Sequence, residues 1–213
     1  GRDAILMDTG WPRADARDAG RIRTAMRDAG ITQIDYLLIS HFHRDHVGGL
    51  AALAEQVPIG QIIDHGESVE RDREQGRAIW EEYVVLADGR RRTVAPADKL
   101  PLRRIEFSFV ASHGTLIDTL EPRLPNRLCA TAVANPTDEG ENGRSLGYLL
   151  SLGGFQFLNL GDLTPDREFD LACPENRLGV VDLYQVPHHT RAGAARPELT
   201  WALQPTVAVS NNG

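Results

Sequence analysis

One stretch of the chain carries most of what the sequence says about fold and chemistry: residues 34–49 read IDYLLISHFHRDHVGG. Residues 34–40 are mainly apolar, which predicts a strand that is buried on both faces. A cluster of polar side chains follows at once, and two glycines then lead into a helix predicted from Leu50 to Gln56. The stretch therefore predicts a strand and a helix joined by a turn that carries functional groups.

The polar cluster consists of three imidazoles and a carboxylate: His41, His43, Asp45 and His46. Neutral imidazole and carboxylate are ligand types that zinc binds in proteins. His41 and His43 can hold one ion while Asp45 and His46 face a second. Unrelated surface histidines are a poor explanation, because the whole chain has 7 histidines. The cluster predicts a site for two divalent metal ions, with Zn²⁺ favoured and Mn²⁺ or Fe²⁺ as alternatives.

Two later strand ends carry further candidate ligands. The apolar run 155–160 ends in Gly161-Asp162, where the carboxylate can bridge two cations. Capping the helix predicted near residue 164 is the alternative role of Asp162, and both roles can hold. The apolar run 183–186 leads into His188 and His189. His188 is the predicted ligand because it comes first after the strand, and His189 is predicted to support the site or face the substrate.

Short apolar runs alternate with helical patterns along the rest of the chain, which is typical of a layered α/β protein. Gly153-Gly154 between two apolar runs predicts a β-hairpin, and residues 122–143 read as a long surface loop. At this length we predict a single domain over residues 1–213. Strands are predicted at 4–8, 34–40, 59–64, 105–111, 146–152, 155–160, 182–186 and 206–210, and helices at 14–29, 50–56, 67–86 and around 194–203.

Composition excludes several classes of protein. The chain is 41% hydrophobic and 25% charged, which is ordinary for a soluble globular protein. A net charge of −7 argues against an extended surface that coats nucleic acid, although bound cations would still admit a phosphoester substrate. No apolar run approaches the ~20 residues of a membrane span. Cys129 and Cys173 can pair if the protein is exported or remain small apolar residues if it is not.

Residues 41–49 resemble the His-X-His-X-Asp-His signature, with its two following glycines, of the metallo-β-lactamase fold superfamily. The order of the other motifs is similar, with Asp8-Thr9-Gly10 before the signature and Gly161-Asp162 and a terminal His after it. The resemblance implies an αββα sandwich of two mixed β-sheets flanked by helices, with the metals at one edge. It also implies that Asp8 is a buried structural acid, Asp162 the bridging ligand and His188 the last ligand.

Within the superfamily the pattern is most similar to the hydrolase domain of bacterial competence (DNA-uptake) proteins and their stand-alone relatives. That branch lacks the His ligand found just before the hairpin in lactamases, and no His stands just before residue 146 here. Either His113 or Glu141 is a candidate to complete the first metal's shell. Asn142 and Ser145, from the stretch that carries the likeness, are predicted to support the site or bind substrate.

Two further expectations concern His65 and the chain ends. His65 follows a predicted strand, and a substrate-contacting or ligand role competes with a plain surface turn. Family members normally have strands before Asp8 and continue beyond residue 213. The resemblance therefore implies a fold that is incomplete at both termini, or a homo-oligomer in which another chain fills the gap.

The predicted chemistry is hydrolysis by a metal-bound hydroxide. Asp45 and Asp162 would orient the hydroxide, and His189 or His65 would protonate the leaving group. The chain has no Gly-X-Ser-X-Gly elbow, phosphate-binding glycine loop or Cys-X-X-Cys motif that would supply another mechanism. An ester or phosphodiester substrate is favoured; the alternatives are a β-lactam, lactone or thioester on the same site, or a non-catalytic metal-binding scaffold.

Overall fold

A computed structural model of the protein describes residues 3–118 and 124–211. The chain forms two compact units, one up to Val94 and one from Ala95 onward. Each unit contains a β-sheet and its own helices, so the predicted α/β class with two sheets flanked by helices is confirmed. None of the described helices is long and apolar enough to cross a membrane.

The first unit contains a four-stranded sheet in the order β1-β2-β3-β4, and all of its pairs are parallel. A mixed sheet was predicted here, so this detail is wrong for the described strands. The sheet is parallel because a helical segment follows each of the first three strands and returns the chain to the same edge. The strands are β1 (Ile5–Met7), β2 (Ile34–Leu38), β3 (Ile59–Asp64) and β4 (Arg91–Thr93), and the helices are α1 (Arg17–Asp28), α2 (Arg44–Val47), α3 (Leu50–Ala54) and α4 (Glu74–Ala87).

The core of the first unit lies between the sheet and its helices. Leu37 and Ile62 from the strands pack with Leu53 of α3 and Tyr83 of α4, and all are nearly or fully buried. Burying a leucine or isoleucine side chain stabilises a fold by about 1.5–3 kcal/mol. The alternation of apolar runs and helical patterns in the sequence therefore reflects a real core.

The helix predicted at 67–86 is wrong in its first turns, because α4 begins at Glu74. The preceding residues form tight turns instead: the backbone N–H of Glu70 donates to Ser68 Oγ at 3.2 Å, and that of Arg73 donates to the carbonyl of Glu70 at 2.9 Å. A serine side chain that bonds the local backbone competes with helix formation.

The second unit contains a six-stranded mixed sheet in the order β12-β11-β9-β8-β5-β6. The predicted hairpin is confirmed, since β8 and β9 are antiparallel and Leu152 pairs with Phe155 across Gly153-Gly154. The strands are β5 (Glu106–Ser112), β6 (Thr115–Leu116), β8 (Gly147–Leu152), β9 (Phe155–Asn159), β11 (Leu183–Gln185) and β12 (Val207–Val209), with a separate pair β7 (Leu124–Pro125) and β10 (Glu175–Asn176), and the helices are α5 (Pro165–Ala172) and α6 (Pro197–Leu203).

The core of the second unit lies between this sheet and its two helices. Leu158 and Tyr184 from the strands pack with Leu171 of α5 and Leu199 of α6. Cys129 and Cys173 form a disulfide with a Cα–Cα distance of 5.7 Å, so the two cysteines pair rather than remain separate apolar residues. The bond joins a 3₁₀ turn at Arg127–Ala130 to the residue that follows α5. The beginning of the predicted loop at 122–143 lies outside the described residues.

The sheet topology places the polar strand ends of each unit together. In the first unit the parallel strands bring the segments after Met7, Leu38 and Asp64 to one edge of the sheet. In the second unit β9 and β11 are parallel neighbours, with Asn159 opposite Gln185. The segments that follow these two strands therefore meet as well, and ligands characteristically bind beyond the carboxyl ends of such strands.

Candidate metal centre

The carboxylate of Asp8 organises the polar turn of the first unit. It accepts hydrogen bonds from the backbone N–H and the hydroxyl of Ser40, both at 2.7 Å, and from Nδ1 of His46 at 2.8 Å. An imidazole that donates through Nδ1 keeps its Nε2 lone pair available to a metal, and such carboxylate partners are common around zinc-bound histidines. The structure thus places Asp8 where the resemblance implied, although its side chain is half-buried rather than buried.

Ser40 extends this control to His41. Its hydroxyl proton goes to Asp8, so its oxygen can accept from Nδ1 of His41 at 3.0 Å. Nε2 of His41 is then left as a lone-pair donor, and it lies 3.0 Å from Nδ1 of His43. Two nitrogens bound to one tetrahedral zinc at ~2.0–2.1 Å would be separated by roughly 3.3–3.4 Å. The spacing of these nitrogens is close to that of a chelating pair.

The remaining groups of the cluster also lie within reach of one another. Oδ2 of Asp45 is 3.6 Å from Nε2 of His46, and ring nitrogens of His41 and His46 lie within 4.8 Å of each other. Nε2 of His43 is 3.6 Å from Oε2 of Glu70. His41 and His46 are buried, with 0% and 5% of their surface exposed. The donor set fits a divalent cation, which favours oxygen and imidazole ligands.

Gly48 and Gly49 are required by the segment that packs on this turn. A Cβ at Gly49 would lie 2.1 Å from the carbonyl oxygen of Thr9, and one at Gly48 would lie 2.4 Å from Cδ of Pro12. The backbone N–H of Thr9 donates to the carbonyl of His46 at 2.7 Å. Because these two positions have no side chain, the segment after β1 packs directly against the turn at residues 41–49 and holds it in place.

His65 is buried beneath the same edge, with 1% of its surface exposed, so the surface-turn alternative is wrong. Its ring lies 5.0 Å from that of Phe42. The preceding residue, Asp64, is fully buried and accepts from Tyr83 Oη and Arg91 Nε, both at 2.5 Å. A buried carboxylate requires such donors, and this hub anchors the end of β3.

Two pKa values reflect this hub. Burial, together with the negative charge of Asp64, raises the pKa of Tyr83 well above its usual range. Burial opposes the charged form of Arg91, but the hydrogen bond and attraction of Asp64 outweigh it and raise the pKa of Arg91. Tyr83 is therefore a neutral donor and Arg91 a permanent cation, and both donate hydrogen bonds to the buried side chain of Asp64.

In the second unit, the predicted groups at the ends of β9 and β11 lie close together. Oδ2 of Asp162 is 3.4 Å from Nε2 of His189 and 4.0 Å from Nε2 of His188. The N-cap position of α5 is occupied by Thr164 rather than by Asp162. The backbone N–H of Asp162 faces Ser145 Oγ at 3.3 Å, which is a supporting role for that serine.

The two histidines have different surroundings. Nδ1 of His189 lies 2.9 Å from the carbonyl oxygen of Asn211, so both of its ring nitrogens face oxygen acceptors. Nε2 of His188 instead lies 3.4 Å from the amide nitrogen of Asn142. An amide N–H in this place occupies the lone pair of Nε2, which becomes available to a cation only when the amide is rotated by half a turn. The contacts of His189 suit a proton carrier, and the ligand role of His188 stays a prediction.

The backbone at these histidines is strained. His188, His189 and Thr190 have φ values of 51°, 52° and 59°, in the left-handed region that costs non-glycine residues energy. The turn is held by the bond from the backbone N–H of His188 to the carbonyl of Gly161 at 3.1 Å. Such strain clusters at functional sites.

His113 and Glu141 do not enter the groups of nearby ligand atoms. His113 is exposed in the turn between β5 and β6, where its backbone bonds that of Arg144. Glu141 is buried. Among the described residues, the His, Cys, Asp and Glu groups whose ligand atoms lie within 4.8 Å of one another include neither side chain. Their roles in completing a metal shell stay predictions.

Ser40 and Glu70 are site residues that the sequence pattern does not single out. Ser40 stands directly before His41 at the end of a predicted strand, and this position was the only signal available. Glu70 is distant in sequence from His43, and the segment that contains it was predicted as helix.

An α/β protein with imidazole and carboxylate groups gathered at the carboxyl edge of a parallel sheet is a candidate metal-dependent enzyme. Comparison with known sequences identifies the family within this class of enzymes. Residues 1–123, more than half of the chain, match the family model of the metallo-beta-lactamase superfamily. The chain belongs to this superfamily of hydrolases, and the resemblance indicated by its motifs is confirmed.

Individual proteins are more distantly similar. ComE operon protein 3 of Bacillus subtilis (strain 168) is 24% identical over 186 residues, which are 86% of this chain and 20% of that protein. The chain thus spans a fifth of the length of this curated relative. A solved HARLDQ-motif mutant of a Cronobacter sakazakii metallo-β-lactamase gives a TM-score of 0.48, with 17% identity over 84% of this chain and 67% of that chain. The metallo-beta-lactamase fold protein YhfI from Bacillus subtilis gives a TM-score of 0.45, with 14% identity over 87% of this chain and 59% of that chain.

Proposed function

We propose that this chain is a di-zinc hydrolase that cleaves an ester or phosphodiester. The observation that carries the proposal is the hydrogen-bond network of the first unit. Asp8 and Ser40 hold Nδ1 of both His41 and His46, so that the Nε2 atoms of the two rings are available to a cation. Divalent ions bound there would supply water of lowered pKa and polarise the scissile bond.

The residues of the chain would divide the remaining tasks. The proposed ligands are His41, His43, Asp45, His46, Asp162 and His188. Asp45 and Asp162 also orient the attacking water through their carboxylate oxygens. His189, whose ring nitrogens both face oxygen acceptors, would deliver a proton to the leaving group. The motifs of the superfamily resemblance run from Asp8 to His188, so we propose that residues 1–213 act as one hydrolase domain.

The preference for a phosphodiester or ester rests on the resemblance of the motif pattern at residues 142–145 to the competence (DNA-uptake) branch. The fold itself admits β-lactam, lactone or thioester substrates. Those substrates are therefore outcomes of the test below, as is a scaffold that binds metal without turnover.

The test combines metal analysis with a substrate panel. The purified chain is expected to hold two equivalents of zinc and to hydrolyse bis(p-nitrophenyl) phosphate or a p-nitrophenyl ester faster than nitrocefin or an acyl lactone. His43→Ala should abolish turnover. The zinc content and turnover of His113→Ala test whether the exposed His113 completes the metal shell. Two equivalents of zinc without hydrolysis of any of these compounds would establish the scaffold instead.

A further inference from the structure

The proposed metal ligands of the second unit are Asp162 and His188. The competence (DNA-uptake) branch, which the motifs resemble, lacks the imidazole that precedes the hairpin in lactamases. This chain likewise has no His just before residue 146. Neither His113 nor Glu141 places a ligand atom within 4.8 Å of two other such groups in the described ranges. A ligand of another chemical type would have to supply the missing contact.

Asn142 occupies the corresponding place before β8. It begins a 3₁₀ turn at Asn142–Arg144, and its carbonyl accepts from the backbone N–H of Ser145 at 3.1 Å. A Cβ on Gly143 would lie 2.3 Å from the carbonyl oxygen of Asp138, so this turn is closely packed. The side chain of Asn142 is therefore presented from a rigid support.

The amide of Asn142 has an oxygen without a partner. Oδ1 is buried and makes no hydrogen bond, whereas Nδ2 lies 3.4 Å from Nε2 of His188. Leaving a buried acceptor unpaired is unfavourable, so a group that accepts its lone pair would be expected beside it. No hydrogen bond holds Oδ1 on its present side, so rotation of the amide by half a turn breaks no contact of the oxygen and exchanges the places of Oδ1 and Nδ2. In the rotated amide Oδ1 faces Nε2 of His188, and the 3.4 Å now measured from Nδ2 to that nitrogen is close to the roughly 3.3–3.4 Å between two ligands of one zinc ion.

We propose that the amide oxygen of Asn142 is a metal ligand that acts beside His188 in place of the missing imidazole. Amide oxygens coordinate divalent cations as neutral ligands, in contrast to the carboxylate of Asp162. The proposal rests on the proposed metal-dependent function but concerns one ligand only. It adds to that function the group that completes the metal-binding set of the second unit.

Two substitutions separate the oxygen from the nitrogen of this amide. Asn142→Ala removes both, while Asn142→Asp keeps an oxygen and loses the N–H. Zn²⁺ affinity of the full chain, measured by competition with a chromophoric chelator, should weaken about 10-fold or more in N142A and should be equal or tighter in N142D. Gln156→Ala removes an amide from β9 and serves as the control, and circular dichroism of the zinc-free proteins checks folding.

The outcomes separate this inference from the function on which it rests. Unchanged zinc affinity in N142A would overturn it, and so would an equal loss in N142A and N142D, which would indicate that the N–H contact to His188 is what matters. If the unaltered chain binds no zinc at all, the proposed metal-dependent function fails and the ligand role of Asn142 fails with it.

Discussion

At the scale of single residues, Asp8 determines which nitrogens of two imidazoles are available. It contacts His46 directly and reaches His41 through the hydroxyl of Ser40. Asp8 has a φ of 62°, a left-handed conformation that non-glycine residues seldom adopt. Its hydrogen bonds to Ser40 and His46 therefore hold it in this conformation. Asp8 is not itself a ligand in this arrangement; it is a positioning residue for two ligands.

Replacing Asp8 by Asn tests that role. The amide keeps one acceptor but presents an N–H where the second oxygen accepted hydrogen bonds, so one imidazole loses its orienting partner. Zinc affinity of D8N should fall about 10–100-fold, measured by chelator competition. Asp28→Asn, at an exposed carboxylate near the end of α1, should leave it unchanged. Equal affinity in D8N and the unaltered protein would contradict the positioning role.

At the scale of secondary-structure elements, Glu168 joins α5 to the start of α6. Its buried carboxylate accepts from the backbone N–H groups of Ala195 and Arg196 at 3.1 and 2.8 Å. Burial raises the pKa of Glu168 from 4.5 to about 7, although those two bonds oppose the shift. Arg196 also favours the charged form, whereas the nearby Glu198 disfavours it.

This raised pKa predicts how stability depends on pH. Between pH 4.5 and about 7 the folded state keeps a proton that the unfolded chain releases, so the contribution of Glu168 to stability falls as pH rises. Glu168→Gln lacks this titration. Its free energy of unfolding relative to the unaltered protein should therefore increase between pH 5 and pH 8, by up to about 3 kcal/mol.

Urea denaturation at both pH values measures this difference. Glu106→Gln, on an exposed position of β5, provides the control and should show a much smaller change with pH. A difference between E168Q and the unaltered protein that stays constant from pH 5 to pH 8 would show that Glu168 has an ordinary pKa.

The Cys129–Cys173 disulfide connects two further elements across 44 residues of sequence. A cross-link stabilises chiefly by restricting the unfolded chain. The double variant Cys129→Ser/Cys173→Ser should lose about 2–4 kcal/mol of unfolding free energy. Dithiothreitol should lower the melting temperature of the unaltered protein but not that of the double variant. A reductant effect of equal size in both proteins would rule out the cross-link as its cause.

At the scale of the whole molecule, metal binding and stability are linked if the proposed ligands act together. A ligand that binds only the folded state at 100 times its Kd stabilises by about 2.7 kcal/mol. For a chain of 213 residues this corresponds to a rise in melting temperature of roughly 5–10 °C. Adding Zn²⁺ to chelator-treated protein should produce this rise, and differential scanning calorimetry can record it.

His41→Ala should remove the zinc-dependent rise without changing the melting temperature in EDTA by a comparable amount. The same rise in H41A would place the stabilising zinc elsewhere and would contradict the proposed ligand set. Loss of the rise in H41A, with unaltered helical content by circular dichroism, would support it.

The sequence by itself determined the features that depend on neighbouring residues. The strand-and-turn pattern at 34–49, the hairpin at Gly153-Gly154 and the α/β alternation all follow from local periodicity and turn chemistry, and the structure confirms them. Local signals are weakest where an element is short or charged, so β4 at Arg91–Thr93 was not predicted. A serine-initiated turn likewise displaced the predicted start of α4.

Only the tertiary structure decided which distant groups meet. The contacts of Asp8 with Ser40 and His46 and of Asn142 with His188 cross 32, 38 and 46 residues of sequence. The burial of His65 is equally non-local. Such pairings depend on strand order and register, which bring chain segments together after long connections, and no spacing within a short stretch of sequence encodes them.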